Sequence, residues 1–402
     1  MYYKIVMTGG ISLFGVHNLF GQLTRDKKLF DFDRTNPYPK DRQNEENELN
    51  NWLNEMKNYF SQIKGREQNI SAEYSMLYSL KQNGRIIDAP EIIIMHTDSF
   101  GGRAAAYLNK EILEKEFSAT VKLEEIKELD VTNRVKLNRS LGDFMSLVNK
   151  HLHGQYKSSV CFAPIGGYKI FSSLGYIVAS FNDLPTAYLH EDKQILHEIP
   201  PIPVKYDDTF IEKNSEFLRK LYISGILEQQ DLEYNQLELI KDNSHFFETV
   251  DNMISINPFG LFICNQDKFK HIFGIRVFIS QEAIRIFDKY PSATSFVYQQ
   301  LLDLTRKIES EVSDSDLYHE REFKELRNKN LDFHIYKGAS NGIHAFRASW
   351  KYDGQKRKLK INNIWLDHDV YEREAFSGKG LERDFGGYTE ISREVYKVKN
   401  RG

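Results

Sequence analysis

Over roughly its first 200 residues the chain alternates unbroken apolar runs with segments of helical period. YYKIVMTGG (Tyr2–Gly10) predicts a strand that ends on paired glycines, and SAEYSMLYSLKQ a helix. PEIIIMHTDS then predicts a continuous apolar strand, GGRAAAYLNKEILEKEF a helix, and TVKLEEI a short strand. NRVKLNRSLGDFMSLVNKHL predicts a helix, SSVCFAP a strand, GYKIFSSLGYIVASF a helix, and TAYLHED closes the series. Apolar strands without polar alternation, separated by helices, are the pattern of a parallel sheet covered on both faces. The expected architecture is an α/β, Rossmann-like doubly wound domain. The polar stretch Asp31–Glu48 interrupts it and is expected to be an insertion or a mobile loop.

EIPPIPVKYDD (Glu198–Asp208) carries three prolines within four residues, which no helix or strand interior accommodates. It marks a boundary, so domains are expected over 1–205, 206–265 and 266–402. The middle one is small, mostly helical and winged-helix-like in size, ending at INPFGLFICN. The last opens with FGIRVFISQEAIRIFDKY, continues with a helix around SFVYQQLLDLTRKIES, and has strands at LDFHIYKG, IHAFRASWKYDG and KLKINNIWLDHD. A strand, two helices and a meander of strands predict a compact α+β domain.

Composition adds modest constraints. The 402 residues are 41% hydrophobic and 28% charged, an ordinary globular balance. No apolar stretch approaches the ~18 residues of a membrane span, and the N-terminus lacks signal-peptide architecture. A cytoplasmic protein with no membrane partner is expected. Cys161 and Cys264 lie far apart in apolar segments, as buried free thiols would. The net charge of −3 conceals an asymmetry: Tyr318–Gly402 holds 18 Lys+Arg against 13 Asp+Glu, a balance of +5. That permits contact with a polyanion such as RNA.

In doubly wound sheets ligands bind beyond the carboxyl ends of the strands. Three such ends carry small and polar residues: TGGIS (Thr8–Ser12), HTDSFGGR (His96–Arg103) and PIGGYK (Pro164–Lys169). Glycines admit a ligand to the backbone, helix N-termini offer N–H groups to phosphate, and Arg103 and Lys169 add charge. Neither GxGxxG nor GxxxxGK[ST] is present, so no dinucleotide fingerprint or P-loop is indicated.

The order and spacing of TGGISLF, ISAEYSML, HTDSFGGRAA, IGGYK and YLHED…LHEIPPIPV resemble a CARF domain over residues 1–204. CARF domains are the CRISPR-associated Rossmann folds that sense cyclic oligoadenylates in type III CRISPR defence. The resemblance implies a homodimer through the CARF domain, with one ring, cyclic tetra-adenylate, held across both subunits. It places Thr8, Gly9, Gly10, Ser12, Ser71, Glu73, Thr97, Asp98, Ser99, Arg103, Ile165, Gly166, Gly167, Tyr168 and Lys169 at the ligand. Ile165 stands where the family usually has threonine. Ser12 and Lys169 match positions that in some relatives help cleave the ring through 2′-hydroxyl attack. Glu73 is expected either there or as a cap of its own helix, with Ser71 just before it.

For the C-terminal part, no histidine has an arginine five residues before it, as the Arg-x4-His nucleases attached to many such sensors require; Lys329–His334 comes nearest. Glu322-Phe-Lys324 has the letters of a metal-dependent nuclease, in a polar, helix-prone segment. Strand alternation points elsewhere. In DFHIYK, Phe333 and Ile335 are assigned to the core, so His334 and Tyr336 face away. In AFRASWKY, Phe346, Ala348 and Trp350 form the apolar face and Arg347, Ser349 and Lys351 the opposite one. His344 precedes that strand, and His368, Asp369 and Tyr371 are expected at the sheet rim.

Such a cluster suits RNA cleavage without metal. A histidine takes the 2′-OH proton, Arg347 with Lys337 or Lys351 steadies the phosphorane, and a second histidine or a tyrosine protonates the leaving oxygen. Phe273–Arg373 is similar to the RelE-type mRNA interferases. By that resemblance Arg347 matches the strand arginine and Tyr371 the C-terminal tyrosine, while His334, Tyr336 and His368 replace the family's lysines and arginine. The combined expectation is a cofactor-independent CARF–RelE effector that binds cyclic oligoadenylate and cuts mRNA on the ribosome. A ring nuclease, a winged-helix DNA-binding regulator and a metal-dependent nuclease remain open alternatives.

Overall fold

The computed structural model describes residues 1–25, 42–63, 70–127, 129–130, 132–190, 195–310, 315–327 and 329–398. They form two compact units, residues 1–212 with 225–263 and residues 213–224 with 264–402.

The first unit follows the apolar pattern closely. Its elements are β1 (Tyr2–Thr8), α1 (Leu19–Arg25), α2 (Arg42–Lys57), α3 (Ala72–Gln82), β2 (Ile86–Thr97), α4 (Phe100–Phe117) and β3 (Thr120–Ile126). They continue with α5 (Arg134–Leu152), β4 (Val160–Ala163), α6 (Lys169–Phe181), β5 (Thr186–Leu189) and β6 (Leu196–Ile199). The sheet order is β3-β2-β1-β4-β5-β6. Pairings are parallel up to β5, and β6 returns antiparallel on the edge. This is the expected Rossmann-like winding, with the edge hairpin an addition that TAYLHED did not disclose. The four residues of β4 are all buried, as a central strand covered on both faces requires.

Part of the expected polar insertion is helical. Residues 42–48 belong to α2, which buries Leu49, Trp52, Leu53 and Met56 at helical spacing. Residues 31–41 lie outside the described ones. Cys161 and Cys264 are free and buried.

Residues 206–265 divide between the two units. They contain α7 (Asp208–Lys213), α8 (Ser215–Ser224), β7 (Leu227–Glu228), α9 (Tyr234–Asp242), β8 (Phe247–Val250), β9 (Met253–Ile256) and α10 (Pro258–Cys264). The three strands form a small antiparallel sheet in the order β7-β9-β8.

The second unit adds α11 (Lys270–Phe273), β10 (Arg276–Ile279), α12 (Gln281–Lys289), α13 (Thr294–Glu309), β11 (His334–Ser340), β12 (Ala345–Asp353) and β13 (Lys358–Trp365). It ends with α14 (His368–Phe376), β14 (Thr389–Glu390) and α15 (Ser392–Lys397). The strand, helix pair and meander appear in the expected order, in a sheet running β11-β12-β13-β10-β14. Ser280 starts α12: its hydroxyl accepts from Ala283 N at 3.0 Å and donates to Asn362 O at 2.6 Å. α8 is tied into this unit by Arg219. Its guanidinium donates to the carbonyls of Ile272, Gly274, Lys356 and Arg357, and burial pushes its pKa down to about 10. Among the described residues no helix is long and apolar enough to cross a membrane.

Candidate functional site

The order β3-β2-β1-β4-β5 reverses direction between β1 and β4, which makes that gap the topological switch point. The chain leaves β1 through Gly9-Gly10 and β4 through Ile165-Gly166-Gly167, and the two corners interlock. Gly166 N donates to Thr8 O at 3.1 Å, and Gly9 N donates to Met95 O at 2.7 Å. A Cβ on Gly10 would lie 2.5 Å from Gly167 N, and one on Gly166 would lie 2.5 Å from Gly10 N. Gly167 also has φ +86°, so side chains are excluded at all three positions.

Glu73 holds this corner from beneath. It is fully buried in the first turn of α3; Oε1 accepts from Gly10 N at 2.7 Å and Oε2 from Ser12 Oγ at 3.3 Å. Ser12 Oγ accepts in turn from Ala72 N at 2.9 Å. Burial raises the Glu73 carboxyl above its ordinary pKa, against the opposing pull of the Gly10 amide. The two roles expected for Glu73 are thereby separated. Ser71 caps α3, accepting from Tyr74 N at 3.0 Å and donating to Asn109 Oδ1 at 2.7 Å. Glu73 supports the glycine loop.

The third strand end is built alike. Ser99 caps α4, accepting from Gly102 N at 3.2 Å, and Thr97 Oγ1 lies 2.9 Å from Ser99 Oγ. Asp98 and Arg103 are buried, while Thr97 and Ser99 are half-buried. Gly167, Tyr168 and Lys169 are exposed where α6 begins, with Ile165 packed against the main core below them. The ligand-side residues read from the sequence therefore do gather at one edge of the sheet. Asn18 and Asn109 bond into the same corner, Asn18 Nδ2 donating to Ser12 O and Asn109 Oδ1 accepting from Ser71 Oγ; lone asparagines carry no motif that would announce this.

The C-terminal residues behave differently. Antiparallel pairing sets His334 opposite Trp350, Tyr336 opposite Ala348, and Lys337 opposite Arg347. Residues directly opposite each other share a face, so His334 and Tyr336 lie on the side of Phe346, Ala348 and Trp350. The expectation that they join Arg347 and Lys351 is corrected. Tyr336 is 2% exposed and part of the larger core of the second unit.

Nor is the Arg347 face open. Ile335, Trp365, Tyr371, Ala375 and Leu381 form a second apolar cluster there, covered by α14. Arg347 is buried against it, donating to Phe346 O at 2.8 Å with its guanidinium 5.6 Å from the Tyr371 ring centroid. Arg347 Nε, Ser349 Oγ and the Tyr371 hydroxyl are buried without hydrogen-bond partners among the described residues. Burial lowers the Arg347 pKa and raises that of Tyr371. His368, Asp369 and Tyr371 are not on a strand rim. They lie in α14, whose start is set by Asp367 accepting from Val370 N at 3.0 Å.

Lys351 is exposed, His368 pairs with Glu372 at 3.3 Å, and half-buried His344 packs on Tyr290 just before β12. Lys337 lines a surface pocket with Arg306, Lys307 and Asp316. Glu322 and Lys324 occupy successive 3-10 turns, not strands.

One unanticipated arrangement stands beside β11. The 3-10 segment Ser315–Glu322, kinked at Tyr318, runs along this edge strand. From it the buried Glu320 accepts from Ile335 N at 2.8 Å through Oε2, while Oε1 lies 2.9 Å from His334 Nδ1. The His334 ring also meets Tyr318 at 4.8 Å and Trp350 at 5.3 Å, and the Arg321 guanidinium sits 4.2 Å over Tyr318. A contact across 14 residues, made from a segment without strand or helix period, leaves no local signal.

A parallel α/β sheet with interlocked glycine corners at its switch point is a Rossmann-like unit. Residues 68–202 within it match the family described as CRISPR-associated protein (Cas_APE2256). Among solved structures, Can2 from Sulfobacillus thermosulfidooxidans in complex with cyclic tetra-adenylate aligns over 73% of this chain and 79% of its own. The identity is 12% and the TM-score 0.21. No curated protein matches the chain.

Proposed function

We propose that this chain is an accessory effector of type III CRISPR defence, in which the N-terminal unit binds a cyclic oligoadenylate, the four-membered ring, across a homodimer. The observation that carries this reading is the pair of glycine corners at the switch point, held by Glu73 and flanked by the exposed Lys169. A corner cleared of side chains, next to the exposed lysine at the start of α6, suits the close approach of phosphodiesters. The match of residues 68–202 to a CRISPR-associated family supports the same assignment. In this reading ligand binding activates the C-terminal unit as a metal-independent, RelE-like endoribonuclease that cuts message on the ribosome. The element order of that unit and its basic balance support an RNA substrate.

The test incubates purified protein with translating ribosomes in Mg²⁺ buffer and, in parallel, with naked RNA in the presence of EDTA, each with and without cyclic tetra-adenylate. Primer extension reads the cuts. Ligand-dependent cleavage confined to ribosome-bound message supports the whole reading. Cleavage of naked RNA alone retains the sensor and replaces the RelE-like part with a free ribonuclease. Absence of cleavage in both arms, with the ring bound or degraded, overturns the ribonuclease assignment in favour of a regulator or ring nuclease.

A further inference from the structure

The geometry points to a catalytic site at the β11 edge: His334 as the general base of RNA cleavage, set by Glu320, with Tyr318 and Arg321 receiving the nucleotide. This deepens the ribonuclease reading above and rests on it.

Glu320 is the structural key. Its carboxylate is buried, and both oxygens are committed, one to the Ile335 amide at 2.8 Å and the other to His334 Nδ1 at 2.9 Å. An ionised carboxylate only accepts hydrogen bonds, so the proton of a neutral His334 imidazole resides on Nδ1. The lone pair is then on Nε2. The His334 side chain is 45% exposed, open enough for a substrate to approach. A base oriented by a second group that fixes its tautomer is the recurring geometry of nucleophile activation.

The neighbours fit a nucleotide. Tyr318 is half-buried and meets the imidazole edge-to-face, and it backs the planar Arg321 guanidinium, which offers a stacking surface for a nucleobase. Arg321 is exposed over the Tyr318 ring, so its charge lies beside the same place and can hold a phosphate. Arg347, Ser349 and Tyr371 lie on the other face of the sheet under α14 and take no part.

The reaction is transesterification. His334 Nε2 removes the proton of a ribose 2′-OH, and the 2′-oxygen forms a bond to the adjacent phosphorus. The bond from phosphorus to the 5′-oxygen breaks, and that oxygen takes a proton from water. The imidazolium later returns its proton to water. The products are a 2′,3′-cyclic phosphate and a 5′-hydroxyl, with no metal or redox partner in the balance. His334 is the catalytic residue, and Glu320 is a positioning residue acting through it.

The test uses the full-length protein with cyclic tetra-adenylate on whichever RNA substrate the wild type cuts. His334→Asn should lower kcat by about 10²- to 10⁴-fold. In Glu320→Gln the amide oxygen can keep the Ile335 amide while the NH₂ turns toward His334 Nδ1. That moves the ring proton to Nε2 and blocks the base, so kcat should fall about 100-fold or more with KM unchanged. Tyr318→Ala should instead raise KM about tenfold. Nitrogen-15 NMR of histidine-labelled protein supplies a readout independent of turnover: Nδ1–H in the wild type, Nε2–H in Glu320→Gln. Melting temperatures within a few degrees of wild type separate these effects from unfolding. Undiminished cleavage by His334→Asn, or a Glu320→Gln variant with altered tautomer and full kcat, overturns the dyad while leaving the ribonuclease intact. A wild type inert on both RNA substrates removes the ribonuclease reading itself and the dyad with it.

Discussion

The glycine corner of the first unit and the Arg347 face of the second were both expected to present functional groups to a ligand; the corner leaves Tyr168 and Lys169 exposed beside it, whereas the Arg347 face is covered. The corner is made of main chain. Its shape follows from where β1 and β4 end and from the absence of side chains at Gly10, Gly166 and Gly167. The Arg347 face is made of side chains on a strand flanked by others. Whether it meets water depends on what packs over it, and α14 does, burying Arg347 and Tyr371. A site written in backbone geometry survives translation from sequence to structure; one written in strand alternation depends on the cover of each face.

The comparison can be broken most forcefully at the corner. Gly166→Val would place a branched side chain where even a Cβ lies 2.5 Å from Gly10 N. Binding of cyclic tetra-adenylate should fall at least 100-fold, measured by isothermal titration, because the Gly10 and Gly166 loops can no longer close. Tolerance of valine would show that the loops are not interlocked in solution.

At the Arg347 face the expected effect is on stability. Arg347→Ala removes a charge-assisted hydrogen bond to Phe346 O and should cost about 2 kcal/mol in denaturant unfolding. A large loss of kcat with stability unchanged would instead return Arg347 to the reaction.

Glu73 sharpens the contrast through pH. Its folded pKa is raised, so between the unfolded value of 4.5 and the folded one the native state binds more protons than the unfolded state. The contribution of Glu73 to stability is greatest below 4.5 and declines as pH rises through that window. Glu73→Gln should remove this decline from urea melts of the protein, and an unaltered slope would contradict the assignment.

The smallest effect belongs to Tyr371→Phe. The tyrosine hydroxyl is buried without a hydrogen-bond partner among the described residues, so its loss should leave the melting temperature unchanged or raise it, within about 1 kcal/mol. A loss beyond that would reveal a partner for the hydroxyl.

Legibility in the sequence follows the same division. Unbroken apolar runs such as EIIIM and VCFA fixed the strands of the first unit, because burial on both faces leaves one composition available. The strand-end glycines mark three corners in the sequence, and the strand order puts two of them on either side of the switch point. The return strand β6 was hidden because it is a short, mostly exposed edge. In the second unit the strands were legible, but their faces were not. His334 and Tyr336 were assigned by alternation within one strand, whereas cross-strand register decided their side. Helix α14 was mistaken for the end of a strand, since its Asp367 cap lies directly after the apolar run KINNIWL. Glu320 could not be found at all, because its partner His334 lies on another element.

The central claim is that the glycine corner holds a cyclic oligoadenylate. Its most direct test is calorimetric titration of the purified protein with cyclic tetra-adenylate, with Lys169→Ala and Gly166→Val in parallel. The account predicts saturable binding at one ring per two chains, weakened by the first substitution and abolished by the second. Absence of binding by the wild type, or equal binding by Gly166→Val, would contradict it.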